Sequence, residues 1–398
     1  MRIAIFSECY TPVTNGVVTS IQTLRETLRA QGHTVFVFAP GTAQPEDDET
    51  IFRLPELPFP KHPYHFARPF PRLKVDFPAL DIQIIHCQHP FTVGRLGAEM
   101  ARKHGLPMVY TAHSLYDMMA ATAKSPLMRS AGQKMARGVV RRFCNRADCI
   151  IAPSRHTRDA LRAAGVRGRF AVVPSGVLGP YIRPGARAQR RAELGLAPET
   201  PLILCVGRLG PEKRVDILLR AVALLAHSRR LPAPANTFRL AVVGDGQCRA
   251  PLEALAASLD LGDRVLFAGA QPHATIGDWY AAADIFALPS PAETQGLVLV
   301  EAMAAGLPCI AADYGGPREL VEQGETGLRV PLDVNAFAHA LDLLLRDPQM
   351  RRHFGEQGRL RARAFSPEAM TRGMLDVYES VLRLPHLPAT SRLAGILR

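Results

Sequence analysis

Short apolar runs recur along this 398-residue chain, with stretches of helical spacing between them. Runs of this kind read as strands buried on both faces, the pattern of a parallel sheet covered by helices. In the first half, strands are predicted at 3–6, 34–39, 82–86, 108–111, 149–152 and 170–173. Helices fall around 17–31, 94–104, 133–145 and 156–164. In the second half, strands are predicted at 202–206, 239–243, 264–268, 285–289 and 307–312. Helices there cover 215–226, 249–258 and 274–282, and another opens after Gly296. Such βαβ alternation predicts an α/β fold of two Rossmann-like, doubly wound domains facing a cleft. One domain is expected over 1–180 and the other over 198–366, with an Arg/Ala/Pro-rich stretch at 184–200 marking the join. A last helix is expected over 367–384, and the tail beyond Leu384 reads as loose.

The length itself favours two domains over one core. Apolar residues make up 47% and charged residues 21%, which is globular and not disordered. No run of eighteen apolar residues is present, so no spanning helix is expected. The chain starts Met1-Arg2-Ile3-Ala4 and enters a strand at once, without the shape of a signal peptide. Its seven cysteines are scattered without a CxxC, and several fall in predicted strands. That usage points to a reducing cytoplasm, with no disulfide framework and no metal site. The net charge of +12 asks for an anionic partner: phosphorylated substrates, an anionic membrane surface or nucleic acid. No zinc-finger, RRM-type or helix-turn-helix wording supports nucleic acid, which is set aside.

The most informative chemistry is an acidic pair eight residues apart, Glu293 and Glu301, in a strand–loop–helix–strand segment. The helix mouth at Gly296, Leu297 and Val298 presents backbone N–H groups without intrahelical partners, a ready anion site. Glycine at 296 permits close approach of a ligand. Glu301, one turn inside, leans back toward the same mouth, with Glu293 in the loop above it. A carboxylate accepts hydroxyl donors. The arrangement therefore suits a nucleotide sugar, with the diphosphate on the helix, the ribose on one glutamate and the transferred sugar near the other. After the strand at 202–206, Gly207-Arg208-Leu209-Gly210-Pro211-Glu212-Lys213 forms a tight cationic loop. Arg208 and Lys213 would stabilise the charge that grows on a departing diphosphate. In the first half, Gly16 opens a helix after Asn15, and His113 follows the strand at 108–111, where ligands gather in open sheets. Gly244 and its neighbours read as a fold marker, and His86 and His89 as structural or rim residues.

This wording, Glu293-Thr294-Gln295-Gly296 through Glu301-Ala302-Met303-Ala304-Ala305-Gly306, resembles glycosyltransferase family 4, retaining enzymes of GT-B architecture. The resemblance extends over nearly the whole chain. It implies that Glu293 lies at the donor sugar and Glu301 at the ribose. It further implies that Arg208 and Lys213 serve the leaving diphosphate, that His113 contacts the donor sugar, and that Gly16 lets the donor come near. The last helix would cross back onto the first domain. Within the family, Asn15-Gly16-Val17, the loop Thr111-Ala112-His113-Ser114-Leu115-Tyr116 and Glu293-Thr294-Gln295-Gly296 are similar to diacylglycerol glucosyltransferases, and related mannosyltransferases share much of them.

The expectation is a hexosyltransferase using UDP-glucose, or GDP-mannose, on a lipid or glycan hydroxyl. The nucleotide sugar is a substrate, no cofactor is held permanently, and no metal is required. A sugar-nucleotide epimerase and a non-catalytic sugar-nucleotide binder are the rivals. Two basic regions suit peripheral docking on an anionic membrane as well as a solvated face. One is 59–72, mixing aromatics with cations, and the other carries Lys124, Arg129, Lys134, Arg137, Arg141 and Arg142.

Overall fold

In strand β1 (Arg2–Phe6) Ile3 and Ile5 enter one core, while Ala4 and Phe6 enter the core on the opposite face. Both faces are covered, so the run needs no polar alternation. A computed structural model of the chain describes residues 1–13, 15–57, 66–69, 71, 73–114, 126–228 and 231–384. The chain divides into two units, residues 1–176 with the segment from Pro367 onward, and Val177–Ser366.

The first unit follows β1 with β2 (Thr34–Pro40), β3 (Ile51–Leu54), a small antiparallel pair β4 (Glu56–Leu57) and β5 (Phe66–Ala67), then β6 (Ile84–Cys87), β7 (Met108–Thr111), β8 (Cys149–Ala152) and β9 (Phe170–Val172). Its main sheet runs β3-β2-β1-β6-β7-β8-β9, parallel throughout. Helices α1 (Gly16–Ala30), α2 (Thr92–His104), α3 (Pro126–Cys144) and α4 (Arg155–Ala163) connect the strands.

In the second unit come α5 (Ala186–Glu193), β10 (Leu202–Val206), α6 (Val215–Ser228), β11 (Arg239–Val243), α7 (Arg249–Ser258), β12 (Val265–Gly269), α8 (His273–Ala282) and β13 (Ile285–Leu288). They are followed by α9 (Leu297–Ala304), β14 (Cys309–Ala312), α10 (Pro317–Leu320), β15 (Gly327–Val330), α11 (Val334–Arg346) and α12 (Pro348–Ala362). The sheet order is β12-β11-β10-β13-β14-β15, again parallel, which is the doubly wound Rossmann order. Ile203 and Cys205 of β10 feed one core, and Leu202, Leu204 and Val206 the other.

Helix α13 (Pro367–Leu382) returns to the first unit. Its buried stripe of Met370, Met374, Val377, Tyr378 and Val381 joins the core under α1. Thr371 is hydrogen-bonded to Thr27 on α1 at 2.5 Å.

The Arg/Ala/Pro-rich stretch belongs to the second unit. Arg183 pairs with Asp278, Arg187 donates to the carbonyls closing α8, and buried Arg191 reaches Asp284 and the Thr200 carbonyl. By composition this stretch marks a join, yet Arg187 and Arg191 donate to carbonyls that end helices and loops and would otherwise be unmet. All seven cysteines are free thiols. Among the described residues no helix is long and apolar enough to cross a membrane.

Candidate active site

In open parallel sheets a ligand crevice lies beyond the carboxyl ends of the strands where the winding order reverses. In the second unit that reversal falls between β10 and β13. The loop after β10 carries Arg208 and Lys213, and the loop after β13 carries Glu293 and ends at Gly296. The structure thus brings the two sequence-predicted loops side by side. Their link is an ion pair, Lys213 Nζ to Glu293 Oε1 at 2.5 Å, with the side chains 21% and 13% exposed. Arg208 is 59% exposed and pairs with Glu212 at 2.5 Å. Beneath them, burial pushes the Cys205 thiol up to about 12, with Lys213 opposing and Glu293 adding, so this sulfur is no nucleophile at neutral pH.

Gly296 precedes α9 with φ 100° and ψ 63°, a left-handed conformation that turns the chain sharply into the helix. The Glu293 loop is braced from β14: the Gly316 N–H donates to the Glu293 carbonyl at 2.9 Å. A Cβ on Gly316 would lie 2.5 Å from Gln295 Cα, so only glycine allows this approach. Leu297 and Val298 form the first turn of α9. One turn on, Glu301 Oε2 accepts the Tyr280 hydroxyl at 2.6 Å. Gly244 closes the edge of this group of loops, its N–H donating to Gly269 while Gly207 donates to Val243.

In the first unit the order reverses between β1 and β6. Asn15 caps α1, its Oδ1 accepting from the N–H groups of Val17 and Val18 at 2.9 Å, and Gly16 is the first helical residue. The Asn15-Gly16 pair is therefore a helix start. His113, after β7, is hydrogen-bonded through Nε2 to Gln88 Oε1 at 2.6 Å. Burial holds its imidazole neutral, down to about 4. Fully buried His86 bridges the Tyr378 hydroxyl and Thr111 Oγ1, each at 2.7 Å, which ties β6 to α13 and β7. His89 Nδ1 accepts the Glu8 N–H at 3.1 Å, and Glu8 Oε1 accepts the Val93 N–H at 2.6 Å, at the start of α2. Burial raises the Glu8 carboxyl to about 7 against the two backbone donors that favour its ionised form.

Four contributors were missed in the sequence. Tyr280 reads as core, Gln88 as one more polar residue at a strand end, Glu8 as loop, and Gly316 as a turn. Only Gln88 and Glu8 had a usable signal, their place just past the carboxyl ends of β6 and β1. Tyr116, Lys124 and most of 59–72 lie outside the described residues, as does the Arg129 side chain.

Two parallel-sheet units, each with its loops gathered at a winding reversal, are the architecture of GT-B glycosyltransferases. Residues 14–177 match the family described as Glycosyltransferase Family 4, and residues 186–361 match Glycosyl transferases group 1. An alpha-monoglucosyldiacylglycerol synthase of Streptococcus pneumoniae is 32% identical, covering 89% of this chain and 80% of that protein. A GDP-mannose-dependent alpha-mannosyltransferase of Mycolicibacterium smegmatis is 31% identical over 96% of this chain and 98% of its own length. Among solved structures, sucrose-phosphate synthase from Thermosynechococcus elongatus superposes with TM-score 0.75 at 28% identity, covering 95% of this chain and 98% of that one. The chain belongs to glycosyltransferase family 4.

Proposed function

We propose that the enzyme transfers a hexose, with retention, from UDP-glucose to a hydroxyl of a membrane lipid such as diacylglycerol. The observation that carries the donor side is the Lys213–Glu293 pair at the mouth of α9, one turn from Glu301. In this reading the N–H groups of Gly296, Leu297 and Val298 receive the diphosphate, and Glu301 takes the ribose hydroxyls. Glu293 lies at the hexose, and Arg208 with Lys213 offset the charge that grows on the leaving group. Gly16 and His113 are the candidate ligand contacts of the first unit. A neutral imidazole there accepts or donates a hydrogen bond to a sugar hydroxyl without adding charge. No nucleophile is assigned: same-face attack by the acceptor hydroxyl beside the departing phosphate gives retention.

The lipid acceptor is supported by the pneumococcal relative, an alpha-monoglucosyldiacylglycerol synthase. It is supported further by the exposed cations Lys134, Arg137, Arg141 and Arg142 on α3, whose Val140 and Phe143 are buried. A basic face of this kind suits an anionic leaflet. GDP-mannose is the second donor reading, favoured by the near full-length match to the mannosyltransferase. Purified protein is to be incubated with labelled UDP-glucose or GDP-mannose, with and without diacylglycerol liposomes. Label in the lipid phase from UDP-glucose is the expected result, while isomerised nucleotide or binding without turnover overturns transfer to lipid.

Glu301→Ala is expected to weaken UDP binding by roughly 10- to 100-fold, since it removes hydrogen bonds to a charged acceptor worth about 1.5–3 kcal/mol. Calorimetric titration with UDP, or GDP where that binds more tightly, checks it. Unchanged affinity contradicts the ribose role.

A further inference from the structure

Tyr280 is fully buried on α8, its ring 5.9 Å from that of Phe286 on β13, yet its hydroxyl leaves the core to meet Glu301 at 2.6 Å. A tyrosine buried for packing alone would be as well served by phenylalanine. Here the oxygen places a single donor on one carboxylate oxygen of a residue on the first turns of α9. Burial, with the neighbouring Glu301 charge adding to it, holds the phenol well above its ordinary range, so it keeps its proton across all working pH. Phenol and carboxylate are thus locked as donor and acceptor. A hydrogen bond to a charged partner fixes direction as well as energy.

We propose that Tyr280 is the positioning residue for Glu301, setting the plane of its carboxylate so that the enzyme distinguishes a ribose from a deoxygenated sugar in the nucleotide it binds. The proposal rests on the ribose reading of Glu301 and deepens it. With Tyr280 present, one carboxylate oxygen is engaged from behind and the group is held in one rotamer toward the α9 mouth. Without the hydroxyl the carboxylate loses this constraint on its orientation, and part of the ordering then falls to the binding of the ribose.

The test uses Tyr280→Phe, which keeps the ring and its packing, beside wild type and Glu301→Ala. Affinities for UDP and for 2′,3′-dideoxyuridine diphosphate are measured by calorimetric titration, with GDP and its dideoxy form used instead if GDP binds more tightly. Tyr280→Phe is expected to lower the ribose-to-dideoxyribose affinity ratio by about tenfold. Thermal melts report packing separately, and a drop in melting temperature that leaves the ratio as in wild type marks a merely structural tyrosine and overturns the proposal. Glu301→Ala separates the two readings. If it abolishes the ratio while Tyr280→Phe keeps it, the positioning role fails and the ribose role stands. If Glu301→Ala itself keeps the ratio, the ribose role fails, and the positioning role with it.

Discussion

Lys213→Ala is expected to lower kcat by about 10²- to 10³-fold, the loss of some 3–4 kcal/mol that accompanies removal of one preorganised group at a developing negative charge. The reason lies in timing. A cation that touched the bound diphosphate equally before and during transfer would change KM alone, whereas charge on the leaving phosphate increases as the glycosidic bond breaks. In the structure the ammonium is held at Glu293, not in solvent. This position has a second consequence. Deleting Lys213 leaves a carboxylate only 13% exposed without its cation, so part of the loss could come through Glu293. A double-mutant cycle of Lys213→Ala and Glu293→Ala resolves this. If Lys213 acts on the leaving group, the double variant loses clearly more kcat than Glu293→Ala alone. If Lys213 serves only to neutralise Glu293, the double variant equals Glu293→Ala. A single variant within tenfold of wild-type kcat sinks the leaving-group assignment.

That pair also shows where the sequence stops being readable. Both loops were legible, because a strand, a glycine and a charged residue in that order place side chains at a carboxyl sheet edge whatever the rest of the chain does. Their pairing was not, since residues 80 positions apart meet only through the sheet order β10-β13, which no local period encodes. The same holds for Tyr280 and Glu301, and for Gln88 and His113: the acid and the imidazole stood out alone, their partners did not. Helix α5 failed for another reason. Its sequence is polar, and Arg191 is buried by its bonds to carbonyls and Asp284, which is the opposite of what its type implies. The first turns of α1 and α9 were legible as helix starts, but whether a start is capped by its own side chain, as Asn15 caps α1, needed the structure.

Stability of the first unit is expected to fall by about 4 kcal/mol between pH 7 and pH 5, a difference set by four buried groups. Burial holds His86 and His89 down to about 3 and His113 to about 4, from an ordinary value of 6.5. In the unfolded chain all three take up protons as pH drops through 6.5, while the folded chain stays neutral until pH nears 4. Protons therefore favour unfolding over that window, by about 2 kcal/mol per histidine at pH 5 and roughly 6 kcal/mol for three. Glu8 opposes them. Its folded value of about 7 lies above the ordinary 4.5, so ionisation costs the folded state between those values. Acidification from pH 7 to pH 5 relieves roughly 2 kcal/mol of that cost. The histidines win because they are three against one. Below about pH 4.5 the Glu8 relief is complete and the descent steepens. Urea titrations at pH 7, 6 and 5, following the unfolding of this unit, check the sign. Glu8→Gln removes the opposing effect and should raise the loss at pH 5 from about 4 to about 6 kcal/mol, a large share of the ~5–15 kcal/mol that holds a domain together. Equal stability of the wild type at pH 7 and pH 5, together with an unchanged loss in Glu8→Gln, would show that these rings take up protons without leaving the fold.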